Sequence, residues 1–206
     1  MYNPSSEEEK IFLEKYDPNK YRKPCVTVDN IIYTTKGKDV KVLLVTRKNY
    51  PYKDYLALPG GFLDVGMENT EQAVMRELKE ETSLTINRPE LFGVYSDPDR
   101  DPRDHVVSIV YSCEVNTTDG VQANDDAADA KFYDLKEIIL SKNLAFDHRK
   151  ILQNFCSHYY TKYNLNLKHK KKFYILQKIK NLLHLYDETK DTDYEKFYNK
   201  VKNEFK

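Results

Sequence analysis

The chain lacks several features that would by themselves assign a protein to a class. It has no tryptophan and only six glycines among its 206 residues. None of its apolar runs approaches the roughly 18 residues that a membrane helix needs. Its 33 basic and 33 acidic side chains cancel, so no overall field favours nucleic acid or a lipid surface. The composition therefore predicts a soluble globular protein without membrane insertion.

Cysteine is also scarce and shows neither a metal-binding nor a disulfide pattern. Cys25, Cys113 and Cys156 are odd in number and far apart, which predicts reduced thiols that behave as small buried hydrophobic residues. The first residues have neither the basic start nor the apolar core of a signal peptide. We therefore expect a cytoplasmic protein.

The scarce glycines are concentrated beside a cluster of acids. Three of the six lie within residues 60–66, directly before a predicted helix. Glycine lets the backbone approach a ligand closely. In the helix, Glu77, Glu80 and Glu81 stand at i, i+3 and i+4, so they share one face. Crowded carboxylates repel each other, and hard divalent cations take oxygen ligands, so this stretch predicts a metal site.

The rest of the chain mixes short strands with a few helices. Hydrophobic alternation predicts strands at residues 25–33, 40–46, 55–58, 85–86, 91–95, 106–115 and 131–135. Helical spacing and capping residues predict helices at residues 7–16, 70–82, 136–140 and 146–163. Intermixed elements with antiparallel hairpins indicate an α+β sandwich.

Residues 60–84 resemble the Nudix box. That box reads Gly, five residues, Glu, seven residues, Arg-Glu, an aliphatic, one residue, Glu-Glu, one residue, Gly and an aliphatic. Glu68 and residues 76–82 fit it without a gap. There are two departures, because Met67 is an extra residue in the loop and Ser83 replaces the last glycine. We expect the first to leave the acidic face intact and the second to affect the end of the helix, since serine is poor at positive φ.

A narrower likeness covers residues 24–152. Residues 93–105 and 144–148 resemble the ADP-ribose pyrophosphatase branch of the Nudix hydrolases and recur in Nudix-type transcriptional regulators. The resemblance implies a Nudix fold, with mixed β-sheets sandwiched between α-helices. It also implies metal-dependent hydrolysis of a nucleoside diphosphate linked to another moiety, with ADP-ribose giving AMP and ribose 5-phosphate. The expected ion is Mg²⁺, with Mn²⁺ as the alternative.

Two other functions stay open beside the pyrophosphatase. One is a ligand-sensing transcriptional regulator built on the same domain, which would carry a winged helix and often an eroded box. The other is a housecleaning hydrolase of oxidised nucleotides.

The resemblance assigns roles to the acidic helix. Glu77 and Glu81, one turn apart, are the predicted principal metal ligands, and Glu80 is a further ligand or the base that orients water. Arg76 is expected to hold a carboxylate in place through a two-contact pair. The complete predicted metal set is Glu68, Glu77, Glu80, Glu81 and the backbone of Gly61. The predicted catalytic set is Glu80, Arg76 and Asp126, the last from a loop where some relatives place a catalytic acid.

Substrate binding is assigned to arginines and aromatic residues. Arg100 and Arg103 lie in a loop stiffened by prolines and are expected to bind phosphate or the terminal ribose. The alternative is that they pair with aspartates of their own loop. Tyr52 or Tyr95 is a candidate for stacking on adenine, whereas His105 and His148 are expected to be structural. The predicted substrate-binding set is Arg47, Tyr52, Gly60, Arg100 and Arg103.

The C-terminal part changes character. Residues 168–172 form a basic run, and two amphipathic helical patterns follow it. We therefore divide the chain into a helical arm (1–22), a Nudix hydrolase domain (23–163) and a basic, amphipathic helical extension (164–206). The extension is expected to pack on the core or on a second subunit, so a homodimer is expected. Contact of the basic run with nucleic acid is the open alternative.

Overall fold

The computed structural model describes residues 2–36, 39–124, 127–140 and 143–162, without the side chains of Lys36 and residues 160–162. Within these residues seven strands and four helices are present. The strands are β1 (Cys25–Lys36), β2 (Asp39–Arg47), β3 (Leu56–Ala57), β4 (Gly60–Phe62), β5 (Glu90–Tyr95), β6 (Val106–Glu114) and β7 (Ala127–Asp134). The helices are α1 (Glu7–Lys15), α2 (Thr70–Thr82), α3 (Leu135–Ile138) and α4 (His148–Lys162).

Strand β1 is the centre of one mixed sheet with the order β3-β2-β1-β6-β5. It pairs in parallel with β6, while the other pairings are antiparallel. Residues 27–29 of β1 pair with β4, and residues 33–36 pair with β2, which in turn pairs with β7. The glycine segment is therefore held against the first half of the central strand.

Alternation along β1 sends neighbouring side chains to different layers. Ile31 is buried in a cluster with Leu152 and Phe155 of α4, whereas Ile32 is buried in a cluster with Leu78 of α2. Successive strand residues point to opposite faces, so both faces of the sheet are covered by a helix. The predicted α+β sandwich is confirmed.

Several local predictions need correction. Residues 85–86 are not a strand, because Ile86 reaches the core with its side chain and needs no backbone pairing. Strand β4 was not predicted, since glycine is depleted in strands. Helix α4 begins at His148 and not at Phe146, because Phe146 has φ 49° and cannot continue into a right-handed helix. The remaining elements differ from prediction at their ends.

The cysteines match the prediction only in part. They are free thiols, but Cys25 is exposed, Cys113 is half-buried and only Cys156 is buried. The expectation of burial is therefore wrong for Cys25, which opens strand β1 at its exposed end.

The N-terminal helix α1 contributes no buried residue to the core. Ser6 caps α1. Arg22 pairs with Asp104 and so links the arm to the loop before β6. The predicted extension at 164–206, with its basic run, lies outside the described residues, and the division into three segments remains a prediction. No helix in the described part of the chain has the length and apolar character needed to cross a membrane.

Candidate active site

Helix α2 is fixed at both ends. Asn69 and Gln72 form a capping box, each side chain accepting a hydrogen bond from the other's backbone N–H at 2.9 Å. At the other end Ser83 takes the left-handed conformation, with φ 61°, where the box normally has glycine. The side chain of Asn124 donates to the Ser83 hydroxyl. The helix thus ends in a left-handed turn even though serine, and not glycine, occupies the position.

Arg76 gathers the carboxylates of this region. Its guanidinium donates to both oxygens of Glu68, at 3.0 and 2.6 Å. It also donates to Glu77 at 2.9 Å, to Glu80 at 3.0 Å and to the Phe62 carbonyl at 3.1 Å. The hydrogen bond from Arg76 lowers the pKa of Glu68. One arginine therefore compensates three of the predicted metal-binding acids, and its two-contact pair is with Glu68.

Glu81 is the most enclosed acid of the helix, with 9% of its surface exposed. Its Oε2 accepts a hydrogen bond from the Gly60 N–H at 3.0 Å. Burial, together with the nearby carboxylates of Glu77 and Asp29, raises the pKa of Glu81 to about 8. Burial also raises the pKa of Glu77. A Cβ at Gly61 would lie 2.4 Å from Oε1 of Glu77, so only glycine allows this approach.

A divalent cation fits the donor chemistry of this helix. Glu77, Glu80 and Glu81 line one cleft and supply carboxylate oxygens, which hard cations prefer. The high pKa of Glu81 agrees, because a cation would favour the ionised form that burial disfavours. Within the described residues, no three His, Cys, Asp or Glu side chains already converge on one point. The fit to a cation therefore rests on the kind of donor atoms that the helix supplies.

The cleft has a volume of about 360 Å³ and a lining of mixed charge. We call the carboxylates of α2 its acidic lining, comprising Glu77, Glu80 and Glu81. Arginines from other segments form what we call its basic lining, comprising Arg47, Arg100 and Arg103. Gly60 and Gly61 also line the cleft. The cleft lining thus brings together every predicted metal residue except Glu68 and every predicted substrate residue except Tyr52.

The two arginines of the loop at residues 96–105 have different partners. Arg103 forms a two-contact pair with Asp101 of its own loop, at 3.0 and 2.7 Å, and its side chain is 42% exposed. Arg100 instead pairs with Asp147, at 3.2 and 2.7 Å, and its side chain is 3% exposed. Pairing within the loop therefore describes Arg103 and is wrong for Arg100, whose partner lies 47 residues away.

Sequence reasoning missed three residues of the cleft. His148 was expected to be structural, which agrees with the hydrogen bond that its Nδ1 accepts from the Leu58 N–H at 2.9 Å, but its place in the cleft lining was not predicted. Its Nε2 lies 3.5 Å from Asp29, and burial lowers the pKa of His148. Asp29 also accepts a hydrogen bond from Ser108. Phe146 completes the set, and residues 144–148 had been noted only for their resemblance.

The two tyrosines proposed to stack on adenine, Tyr52 and Tyr95, are not among the described residues that line the cleft. Tyr52 packs against the rings of Phe146 and Tyr55, with centroids 4.8 and 5.6 Å away. The hydroxyl of Tyr95 accepts a hydrogen bond from Asn154 at 3.1 Å. Asp126 lies outside the described residues. Stacking of either tyrosine on adenine and a catalytic role for Asp126 remain predictions.

The comparisons with known proteins agree with this geometry. Residues 23–155, more than half of the chain, match the NUDIX domain. The chain belongs to the Nudix family. It is 48% identical over 149 residues to the ADP-ribose pyrophosphatase of Methanocaldococcus jannaschii, an alignment that spans 71% of this chain and 83% of that protein.

The names of two other relatives of this Nudix protein refer to ADP-ribose. It is 33% identical to the ADPR responsive transcriptional repressor NtrR of Acinetobacter baylyi, over 70% of this chain and 58% of the repressor. Its structure also resembles the NUDIX domain of Shewanella oneidensis NrtR complexed with ADP ribose, with a TM-score of 0.67 and 30% identity. That match covers 73% of this chain and 97% of the other.

These matches confirm the predicted Nudix fold and the assignment to the Nudix hydrolases of the ADP-ribose pyrophosphatase branch. Nudix ADP-ribose pyrophosphatases depend on a divalent metal ion, which agrees with the oxygen-rich donor set on α2.

Proposed function

We propose that this Nudix hydrolase cleaves a nucleoside diphosphate linked to another moiety, with ADP-ribose as the substrate and AMP and ribose 5-phosphate as the products. The observation that carries the proposal is the cleft itself. It combines carboxylates for a cation with arginines for phosphate in one volume of about 360 Å³. The 48% identity to a named ADP-ribose pyrophosphatase supports the choice of substrate.

The reaction places definite demands on such a cleft. Water adds its oxygen to one phosphorus of the diphosphate, and the bond from that phosphorus to the bridging oxygen breaks. The diphosphate charge must be compensated while this happens, and the water must be held in line. A bound divalent ion supplies charge compensation and polarises phosphate oxygens. The protein must supply the ligands, the base and the phosphate contacts.

The proposed roles follow the positions of the side chains. Glu77 and Glu81 would hold the ion, for which we propose Mg²⁺ with Mn²⁺ as the alternative, and Gly61 leaves room for Glu77. Glu80 would orient the attacking water and take its proton, because it is the most exposed acid of the three, at 45% of its side chain. Arg76 would keep the acids in place through its contacts with Glu68, Glu77 and Glu80. Asp126 stays the alternative base.

The basic lining would bind the substrate. Arg47 and Arg103 are proposed to contact the diphosphate, because both line the cleft beside the acidic helix. Arg100 also lines the cleft, but its guanidinium is committed to Asp147. We therefore propose that Arg100 mainly orders the loop. Gly60 places its backbone close to the acids.

A substrate panel tests the proposal. ADP-ribose, NADH, diadenosine polyphosphates, nucleotide sugars and oxidised dGTP would each be incubated with and without Mg²⁺, and the products separated by chromatography. We expect metal-dependent hydrolysis of ADP-ribose to AMP and ribose 5-phosphate at the highest kcat/KM. Preference for oxidised dGTP would favour the housecleaning alternative.

A regulator is the second candidate function, because a repressor that responds to ADPR is among the relatives. The acids and the arginine of the box are all present here, which favours the enzyme. Tight ADP-ribose binding without hydrolysis, together with retention of DNA, would favour the regulator. The homodimer and the cytoplasmic setting are further proposals, and sedimentation velocity of the full chain tests the first.

A further inference from the structure

Phe146 has a backbone conformation that is unusual for an aromatic residue. Its φ is 49°, in the left-handed region that bulky side chains rarely occupy. Such outliers persist only where their surroundings fix them, and they concentrate at functional sites. Phe146 is separated from the start of α4 by Asp147 alone, and it lines the cleft.

The neighbours on both sides hold this conformation. The Ala145 N–H donates to the Leu56 carbonyl at 2.9 Å. Asp147 is held by its two-contact pair with Arg100. His148 accepts a hydrogen bond from the Leu58 N–H at 2.9 Å. The backbone at Phe146 is therefore anchored to strand β3, to the 96–105 loop and to the start of the glycine segment.

The ring of Phe146 contacts two arginines of the basic lining. The guanidinium carbon of Arg47 lies 5.0 Å from the ring centroid, and that of Arg103 lies 5.6 Å from it. Arg103 also lies 5.0 Å from the ring of Phe62, so its guanidinium contacts two aromatic rings. These distances are within the range of cation–π attraction. The two arginines come from segments more than 50 residues apart in sequence, and Phe146 is the ring that they share.

Both guanidiniums keep a direction as well as a position. The Nε of Arg47 donates to the Pro51 carbonyl at 2.9 Å. Asp101 accepts from two nitrogens of Arg103, which occupies two of the five N–H donors of that guanidinium. Among the residues that the structure describes, three donors of Arg103 are thus left for a ligand. A ring behind a guanidinium fixes its plane and leaves its edge for hydrogen bonds.

We propose that Phe146 is a positioning residue that holds Arg47 and Arg103 ready for a diphosphate. The inference rests on the proposed function, because it assigns the diphosphate of the substrate to these two arginines. Ordering two long side chains before binding reduces the entropy lost when the ligand arrives. Phe146 therefore acts on binding through the arginines and takes no part in the bond cleavage.

Calorimetric titration in EDTA tests the inference with two probes, ADP-ribose and inorganic pyrophosphate. The variants are Phe146→Leu, which removes the ring, and Phe146→Tyr, which keeps it. Phe155→Leu is the matched control, because Phe155 lies on α4, is buried in the core and is not among the residues that line the cleft. Phe146→Met replaces the leucine variant if thermal unfolding shows that the latter does not fold.

We expect Phe146→Leu to weaken the binding of both probes by about tenfold, because it loses two cation–π contacts. Phe146→Tyr should keep its affinity for the probes within about threefold of the wild type. Phe155→Leu should lower Tm without changing that affinity. With Mg²⁺ present, Phe146→Leu should raise KM for ADP-ribose and leave kcat nearly unchanged.

Three results would overturn the inference. The first is an affinity for the probes that is unchanged in Phe146→Leu. The second is an equal loss of affinity in Phe155→Leu. The third is a wild type that binds neither ADP-ribose nor pyrophosphate. A wild type that binds pyrophosphate but neither binds nor hydrolyses ADP-ribose would overturn the proposed substrate alone. The inference would then be decided by the pyrophosphate titrations.

Discussion

The acidic and basic linings of the cleft are built in different ways. Glu77, Glu80 and Glu81 come from two turns of one helix, so their spacing along the chain fixes their spacing in space. Arg47 and Arg103 come from the end of β2 and from a loop before β6, and both contact a ring just before α4. The first lining depends on local structure and the second on tertiary contacts. They should therefore respond differently to substitution.

Loss of one carboxylate should have the largest effect on the acidic lining. We expect Glu81→Gln to lower kcat about 10²- to 10³-fold, because it removes a preorganised electrostatic group from the cation site. The measurement is steady-state ADP-ribose hydrolysis at saturating Mg²⁺. Glu71→Gln, an exposed acid in the first turn of the same helix, is the control and should keep full activity. Activity surviving in Glu81→Gln would show that the metal assignment is wrong.

The buried ion pair between Arg100 of the basic lining and Asp147 should contribute to the stability of the fold. Asp147→Ala leaves the buried Arg100 without its two-contact partner, so we expect the free energy of unfolding to fall by about 3 kcal/mol. Urea denaturation measures this change. The matched control is Asp97→Ala, which breaks the exposed pair of Asp97 with Lys150 and should leave the free energy of unfolding nearly unchanged. Equal losses in the two variants would contradict the assignment.

The acidic lining should make the stability of the protein depend on pH. Burial raises the pKa of Glu81 to about 8, above the value in the unfolded chain. The folded protein then binds the extra proton, so its stability is greatest below the unfolded pKa and is lost as pH rises towards 8. In EDTA we expect the free energy of unfolding to fall by about 4 kcal/mol between about pH 5 and about pH 8.

Glu81→Gln provides the control for that measurement, because it should remove most of the pH dependence. Added Mg²⁺ should stabilise the wild type more at the higher pH, since the ion needs the ionised carboxylate. A wild type whose stability rises with pH over this interval would contradict the enclosed position of Glu81.

Substitution in the basic lining should affect binding more than turnover. We expect Arg103→Lys to raise KM for ADP-ribose about tenfold, because lysine has neither the planar fork nor the stacking surface of arginine. Its kcat should change by less than about threefold. Arg22→Lys, in an exposed pair with Asp104, is the control and should leave both constants unchanged. A lower kcat with KM unchanged would place Arg103 in the chemical step.

The smallest expected effect concerns the end of the acidic helix. Ser83 has φ 61°, which glycine adopts without strain, so Ser83→Gly should raise the free energy of unfolding by about 0.5 kcal/mol. Loss of the hydrogen bond from Asn124 limits the gain. Thermal unfolding measures it, with unchanged kcat as the companion result. Destabilisation would mean that the Asn124 contact outweighs the backbone strain.

The same contrast explains what the sequence predicted well. The shared face of Glu77, Glu80 and Glu81 could be predicted because helical spacing is a local feature, and their role as metal ligands stays a prediction. The sheet and its covering helices followed from hydrophobic alternation. The partner of Arg100 was not predictable, because Asp147 lies on a segment that only the folded sheet brings near. The burial of His148 and the ring contacts of Phe146 were missed for the same reason.

A crossed titration tests the two-lining account most directly. Mg²⁺ alone, and ADP-ribose in EDTA, would each be titrated by calorimetry into Glu81→Gln and Arg103→Lys. We expect Glu81→Gln to lose affinity for the metal and keep affinity for ADP-ribose, and Arg103→Lys to show the reverse. Parallel losses of both ligands in either variant would contradict the separation of the cleft into a metal-binding and a phosphate-binding lining.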